Sequence, residues 1–114
     1  MHEASLITSL LKIAHRVKIQ NDLDSISKVT IIVGDMHQVV SDVMQNCFDL
    51  IKNDFQGFDN AQLIIKHTPL KIRCKDCQKE ISLTQTDFHC PHCHSSSTEI
   101  ISGQELFIET LEAE

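Results

Sequence analysis

The stretch CKDCQKEISLTQTDFHCPHC, residues 74–93, decides how this sequence of 114 residues is organised. It contains two Cys-x-x-Cys pairs with twelve residues between them. A gap of two residues lets both sulfurs of a pair converge on one ion, and two pairs complete a tetrahedron. The spacing therefore predicts a closed metal site at Cys74, Cys77, Cys90 and Cys93, occupied by a structural zinc ion.

Other occupants of this cysteine module are less well supported. Iron, as in a rubredoxin-like electron carrier, is the main competitor, because the second pair has the form Cys-Pro-x-Cys. However, Gln78 and His94 follow the two pairs where glycine would be expected. Covalent haem attachment at Cys90–His94 is rejected, because it would leave Cys74 and Cys77 without a role. Disulfides are disfavoured in the reducing cytoplasm.

Hydrophobic periodicity outside the cysteine module predicts an α+β host. The expected elements are a helix over residues 3–20, a strand over Lys28–Gly34, a helix over Val39–Phe55 and strands over Ala61–His67 and from Leu106 to Glu109. Ser41 or Asp42 is expected to cap the second helix. The sequence thus predicts two helices packed on one face of a three-stranded sheet, interrupted by an inserted zinc-ribbon module.

Charge and composition limit the classes of partner. The formal charge of −6 argues against nucleic-acid binding, which depends on clustered Lys and Arg side chains. The first residues, Met-His-Glu, do not have the basic character of a secretory signal, and no apolar run is long enough for a membrane span. We therefore expect a cytoplasmic protein that binds neither nucleic acid nor membrane.

The N-terminus offers a second set of metal ligands. His2 places an imidazole beside the α-amine of Met1 and the intervening backbone nitrogens. An all-nitrogen, square-planar set favours Ni(II) or Cu(II) over zinc. Taken alone, however, a histidine near a chain start is more often an incidental surface residue, and both interpretations stay open on this pattern.

Several motifs in fixed order resemble one protein family. They are Met-His-Glu-x-Ser-Leu at residues 1–6, the strand end Val33-Gly34, the second helix, the paired Cys-x-x-Cys module and the strand entry Gly103-x-Glu105-Leu106. In this order and spacing, the whole sequence is similar to the HypA/HybF hydrogenase maturation factors, which are nickel metallochaperones.

This resemblance implies sites and domains. His2 would be the essential nickel ligand, with the Met1 amine and the Glu3 backbone nitrogen beside it, and the four cysteines would hold zinc. Residues 1–69 and 103–114 would form the nickel-binding domain, and residues 70–102 the zinc-binding domain.

The resemblance also implies partners and a role without catalysis. A HypB-type GTPase would cooperate in loading nickel into the large subunit of nickel–iron hydrogenase, although urease is the client in some organisms. Whether the chain forms a homodimer is left open, as is the nickel affinity. The alternative functions are a zinc-ribbon adaptor without nickel function and a rubredoxin-like redox protein.

The sequence departs from the family pattern in two places. Some relatives carry an acidic residue near the start of the second helix that approaches nickel, and here Asp42, Asp35 or His37 would have to replace it. Some relatives also carry a histidine after both cysteine pairs, and here His94 is the candidate for a second-shell group. His89 and His92 beside it read as exposed loop residues or as further metal-responsive groups.

Overall fold

The structure is a computed structural model that describes residues 2–83 and 88–114. In chain order the elements are α1 (His2–Gln20), β1 (Ile26–Gly34), a 3-10 turn (Asp35–His37), α2 (Ser41–Ile51), a second 3-10 turn (Lys52–Asp54), β2 (Gln62–Thr68), β3 (Leu70–Cys74), β4 (Glu80–Leu83), β5 (Thr98–Ser102) and β6 (Leu106–Ala113). The strands form two three-stranded sheets, ordered β2-β1-β6 and β4-β3-β5. The prediction of an α+β fold with an inserted ribbon is confirmed.

The chain divides into two compact units. The first contains Met1–Ile32, Val39–Lys66 and Phe107–Glu114, and the second contains Val33–Gln38 and His67–Leu106. The second unit therefore includes short segments on either side of the cysteine module. The assignment of nickel to one domain and zinc to the other stays a prediction.

The core of the first unit forms because apolar side chains recur at helical spacing on both helices. On α1, Ile7, Leu11 and Ala14 are fully buried. Helix α1 contacts α2, on which Met44 and Phe48 are also fully buried. Strand β1 is buried at every position from Val29 to Gly34, so both of its faces are covered. Removing this apolar surface from water is the main stabilising contribution to the unit, at roughly 25 cal/mol per Å².

The second unit has a much smaller apolar core. Along β3, Leu70, Ile72 and the terminal Cys74 are buried, and they alternate with one half-buried and one exposed position. Strand β3 is central and pairs antiparallel with both β4 and β5. Its Arg73 lies opposite a glutamate on each neighbour, at 3.9 Å from Glu80 and 3.4 Å from Glu99.

The predicted cap of the second helix was wrong. Helix α2 begins at Ser41, and its N-cap residue is Val40, which makes no side-chain cap hydrogen bond. Instead, the backbone N–H of Val40 donates to Oε2 of Glu3 at 3.1 Å. The acceptor comes from a residue 37 positions away in the sequence, so local capping patterns do not indicate it. The helix also ends at Ile51, earlier than expected, and a 3-10 turn follows.

Two glycines hold the chain before β6 against the end of β1. The N–H of Gly34 donates to the Glu105 carbonyl at 2.7 Å, and the N–H of Met36 donates to the Gly103 carbonyl at 2.9 Å. A Cβ atom on Gly34 would lie 2.0 Å from the Gly103 oxygen. Gly103 itself has a φ of +104°, which side-chain-bearing residues rarely adopt. Both glycines are required by this close backbone approach.

We therefore predict that Gly34→Ala lowers the free energy of unfolding by about 2–3 kcal/mol, because the added methyl group meets backbone atoms and cannot be relieved by rotating a side chain. Chemical denaturation measures the change. Thr110→Ala, at an exposed position of β6, is the control and should leave stability within about 0.5 kcal/mol. Equal stabilities of Gly34→Ala and wild type would contradict the close approach.

Candidate metal centres

The four cysteines of the module lie on two turns with the same backbone geometry. In the first turn, the Cys77 N–H points at Cys74 Sγ at 3.4 Å, and the Gln78 N–H donates to the Cys74 carbonyl at 2.8 Å. The second turn repeats both contacts: the Cys93 N–H lies 3.5 Å from Cys90 Sγ, and the His94 N–H donates to the Cys90 carbonyl at 2.7 Å. Each turn therefore directs its two sulfurs to the same side.

The residues after the two turns complete this geometry. Gln78 and His94 both adopt left-handed backbone conformations, with φ of 65° and 63°. Such conformations are uncommon for residues other than glycine. In the closing hydrogen bonds, the Cys74 N–H donates to the Lys79 carbonyl and the Cys90 N–H donates to the Ser95 carbonyl. These bonds use backbone atoms, so the side chains of Gln78 and His94 are not needed to form the turns.

The four sulfurs meet at one point. Cys74 Sγ and Cys93 Sγ are 3.5 Å apart, Cys77 Sγ and Cys90 Sγ are 3.7 Å apart, and all four lie within 4.8 Å of one another. A tetrahedral ion with metal–sulfur bonds of about 2.3 Å separates its ligands by about 3.8 Å. The two shortest separations are close to this value, so the cluster suits a tetrahedral divalent metal ion with four cysteine ligands and no open coordination position.

The sulfurs have unequal proton affinities without a metal. The Cys77 N–H, acting against burial, lowers the pKa of Cys74 to about 7, and the Cys93 N–H lowers the pKa of Cys90. The Ser95 N–H favours the Cys93 thiolate, but the hydrogen bond with Cys74 and burial outweigh it and raise the pKa of Cys93 to about 12. Neighbouring thiolates repel, so full deprotonation of the cluster requires a cation.

Two of the nearby basic residues have partners other than the cysteines. Arg73 pairs with glutamates on both neighbouring strands. Lys79 Nζ lies 3.0 Å from His92 Nε2. Because a lysine ammonium can only donate, the Nε2 atom of His92 accepts this hydrogen bond and carries no proton. The pair links the two cysteine turns at the surface.

The N-terminal candidate site lies at the start of α1. His2 is the first residue of the helix and is exposed, and Glu3 follows it half-buried. Met1 lies outside the described residues. The first N–H groups of any α-helix have no partner in its hydrogen-bond ladder, so the backbone nitrogens of His2 and Glu3 are not used in helix formation. Backbone nitrogens and an imidazole thus lie together at an accessible helix end.

The Glu3 carboxylate fixes this helix end against α2. The pKa of Glu3 is lowered below the ordinary 4.5, chiefly by the hydrogen bond from the Val40 N–H and next by the N–H of Glu3 itself. The ionised carboxylate therefore makes the contact. It also supplies a negative charge near the N-termini of two helices, where negative charge is favourable.

Comparison with known proteins identifies the family. Residues 1–113 match the family model described as "Hydrogenase/urease nickel incorporation, metallochaperone, hypA". The hydrogenase maturation factor HypA of Aquifex aeolicus is 35% identical over 114 residues, covering 100% of this chain and 98% of that protein. The HypA protein of Shewanella baltica strain OS195 is 36% identical over 115 residues, covering 100% and 97%. The chain belongs to the HypA family.

Solved structures of HypA proteins share the fold. The solution structure of the nickel metallochaperone HypA from Helicobacter pylori matches with a TM-score of 0.69 at 23% identity, covering 97% of this chain and 96% of that one. A second HypA solution structure matches with a TM-score of 0.72 at 24% identity, covering 100% and 97%. The expected family resemblance is confirmed.

Within this HypA framework, the three candidate extra nickel ligands have different surroundings. Asp42 lies in the first turn of α2 and belongs to the first unit. Asp35 and His37 belong to the second unit, where Asp35 Oδ1 is 3.7 Å from His67 Nδ1 and His37 Nε2 is 3.0 Å from the Gln104 carbonyl. A carbonyl can only accept, so His37 Nε2 carries the proton. All three stay predictions.

None of the helices in the described part of the chain combines the length and the apolar character that crossing a bilayer requires.

Replacement of one cysteine should remove the metal and unfold the second unit. We predict that Cys74→Ser loses bound zinc, because structural zinc sites contribute on the order of 10 kcal/mol to folding, and the small core around Ile72 does not compensate. Metal analysis and circular dichroism measure both effects. Cys47→Ser is the control, since Cys47 is a half-buried residue of α2 outside the cluster. Retention of a full zinc complement by Cys74→Ser would contradict the four-sulfur site.

The Glu3 contact should be visible in a pH titration. Since the folded-state pKa is lowered below 4.5, the stabilisation is fully present above that value and is lost as pH falls through the folded pKa. We predict that NMR shows the Glu3 carboxyl and the Val40 amide titrating together, with a midpoint below 4.5. The Val40 transition should be absent in Glu3→Gln. A Glu3 midpoint at or above 4.5 is incompatible with the contact.

Proposed function

We propose that this protein is a nickel metallochaperone that captures Ni(II) at Met1, His2 and Glu3. It then delivers the ion, with a HypB-type GTPase, to the large subunit of nickel–iron hydrogenase. The observation that carries the proposal is the exposed His2 at the first position of α1, in a chain that matches the HypA family from residue 1 to 113. A zinc ion held by the four cysteines has a structural role in this proposal.

The chemistry of the N-terminal donors supports nickel as the cargo. The α-amine, the backbone nitrogens and an imidazole together make a nitrogen set, and Ni(II) accepts such a set in a square plane more readily than Zn(II) does. A backbone nitrogen binds a metal only after losing its proton. At a helix start this loss breaks no helical hydrogen bond, because the first N–H groups have no partner in the ladder.

The role of Glu3 follows from its contact with Val40. The carboxylate is held by the Val40 N–H, so Glu3 contributes its backbone nitrogen to nickel while its side chain orients the helix end. Orientation of a ligand by a neighbouring hydrogen bond is a common source of metal affinity. The proposal therefore assigns different functions to the two parts of one residue.

The closed cysteine site supports a structural zinc. Four thiolates satisfy a tetrahedral ion and leave no position for a substrate or a transferred ligand. Cys74 and Cys90 are both 0% exposed, which slows ligand exchange, whereas His2 is exposed. Zinc thus maintains the second unit, and exchangeable nickel binds at the helix end.

Release follows from the same chemistry. The deprotonated backbone nitrogens take up protons as nickel leaves, so the affinity for nickel decreases in acid. An acceptor that offers its own ligands can therefore replace these nitrogens one at a time. The curated relatives named above are hydrogenase maturation factors, which favours hydrogenase over urease as the client.

Calorimetric nickel titration of the untagged, zinc-loaded protein tests the proposal. We predict that His2→Ala weakens nickel binding by more than about 100-fold, since even outer-shell partners of metal sites contribute 10–100-fold. An extension of Gly-Ser before Met1 should have the same effect, because it removes the α-amine from the site. His15→Gln is the matched control on α1, because that ring packs 5.9 Å from Phe55 and lies away from the helix start.

Zinc content and fold should be unchanged in all of these variants. Equal nickel binding by wild type and His2→Ala, with one zinc per chain in each, would exclude the N-terminal site. A zinc-ribbon adaptor without nickel function would then be favoured, or a nickel site among His89, His92 and His94.

A further inference from the structure

One exposed face of α1 runs from the nickel site along the helix. Its residues lie within an arc of about 100° at 3.6 residues per turn. We call them the α1 strip: His2, Ser5, Ser9, Lys12, Ile13 and Arg16, all of which are exposed. The opposite face of the helix is buried in the core of the first unit. The strip is therefore the solvent side of a helix that carries a nickel ligand at its start.

The charges of the α1 strip are not neutralised by ion pairs within the described part of the chain. Neither Lys12 nor Arg16 forms an ion pair with any carboxylate in residues 2–83 and 88–114. The other exposed or half-buried lysines of the first unit do have partners, in the pairs Lys28–Glu112, Lys52–Asp49 and Lys66–Glu109. The remaining one, Lys18, is buried. Among the described residues of this unit, the two exposed Lys and Arg side chains without an ion pair thus lie together on one helix face.

This arrangement is unfavourable for the isolated protein. Like charges four residues apart on a helix repel by roughly 0.2–0.5 kcal/mol. The one acidic residue of α1, Glu3, uses its carboxylate at Val40. Beside the cations on the same strip, Ile13 is 48% exposed. A positive strip with an exposed aliphatic side chain on a chain of formal charge −6 has the composition of a binding surface.

We propose that the α1 strip docks the protein that receives nickel, through a surface of that acceptor that carries carboxylates around an apolar patch. This inference rests on the proposed function. At 1.5 Å per residue, Lys12 and Arg16 lie about 15 Å and about 21 Å along the axis from His2. An acceptor surface lying along the strip therefore reaches the helix start and brings its metal ligands to the nickel ion.

Charge complementarity favours a protein over nucleic acid as the partner that binds the α1 strip. Nucleic acid is repelled by the overall charge of −6, which two cations do not overcome. A protein surface can match two carboxylates to Lys12 and Arg16 and cover Ile13, and complementary charges accelerate association and fix the orientation of the partner. Orientation matters because ligand exchange requires the acceptor ligands to approach His2.

The test measures binding of the zinc-loaded, full-length protein to purified apo large subunit of nickel–iron hydrogenase. Lys12→Glu/Arg16→Glu reverses the strip, and Lys12→Gln/Arg16→Gln neutralises it. Lys28→Glu/Lys66→Glu is the matched control, with the same change of charge on the first unit. Affinities are compared at low and physiological ionic strength, together with nickel titration, zinc content and circular dichroism for every variant.

We expect the reversed strip to weaken acceptor binding by at least about tenfold and the neutralised strip to give an intermediate loss, both larger at low salt. The acceptor affinity of the control should stay within about twofold of wild type, because surface charges outside an interface contribute little. Nickel affinity should be unchanged in all three variants. If the nickel site is wrong, His2→Ala will bind nickel as wild type does. If only the docking surface is wrong, the reversed strip will bind the acceptor as wild type does, while His2→Ala still loses nickel binding.

Four results would overturn the proposal. The first is unchanged acceptor binding by the reversed strip, and the second is an equal loss in the control. The third is that the reversed strip weakens binding to the purified HypB-type GTPase but not to the acceptor. The fourth is that it weakens binding to anionic phosphatidylserine vesicles but not to the acceptor.

Discussion

The convergence of four mutually repelling sulfurs on one point is the constraint on which the second unit depends. Its β3 strand buries two aliphatic side chains, Leu70 and Ile72, before it reaches Cys74. Such a core is too small to hold three short strands together by burial alone. A cation among the thiolates both cancels their repulsion and links the two cysteine turns. The same backbone that forms those turns also lowers the pKa of Cys74 and Cys90, so thiolate formation and turn formation support each other.

In the first unit, the proposed nickel site requires backbone nitrogens that are exposed at a helix start that stays ordered. Inside a helix, each N–H is used by a carbonyl four residues earlier, and the helix start is where this ladder leaves nitrogens available. A helix start is also where fraying begins. The Glu3–Val40 hydrogen bond counteracts fraying by joining the starts of α1 and α2. It therefore keeps the exposed donors in place at a point where helix geometry alone would not.

Sequence periodicity was sufficient to predict the helices, the first sheet and the position of the cysteine module, because each depends on neighbours a few residues apart. The cysteine spacing indicated the metal cluster for the same reason. The contacts that were missed are long-range. Ser41 and Asp42 fit a local cap pattern, but the acceptor comes from Glu3 on another helix. Strands β4 and β5 are short and only half-buried, so their alternation is too weak to separate them from loop sequence.

The two candidate metal centres differ in the property that a carrier protein must control, which is the rate of ligand exchange. Removing an ion from the cysteines requires opening turns in which Cys74 and Cys90 are fully buried. Removing an ion from the start of α1 requires only protonation and rotation of exposed groups such as His2. If the cargo were bound by the cysteines, each delivery would unfold the unit that they hold together. Under the proposed function, binding the cargo at the helix start would separate delivery from stability, so that one chain would retain one metal while it releases another.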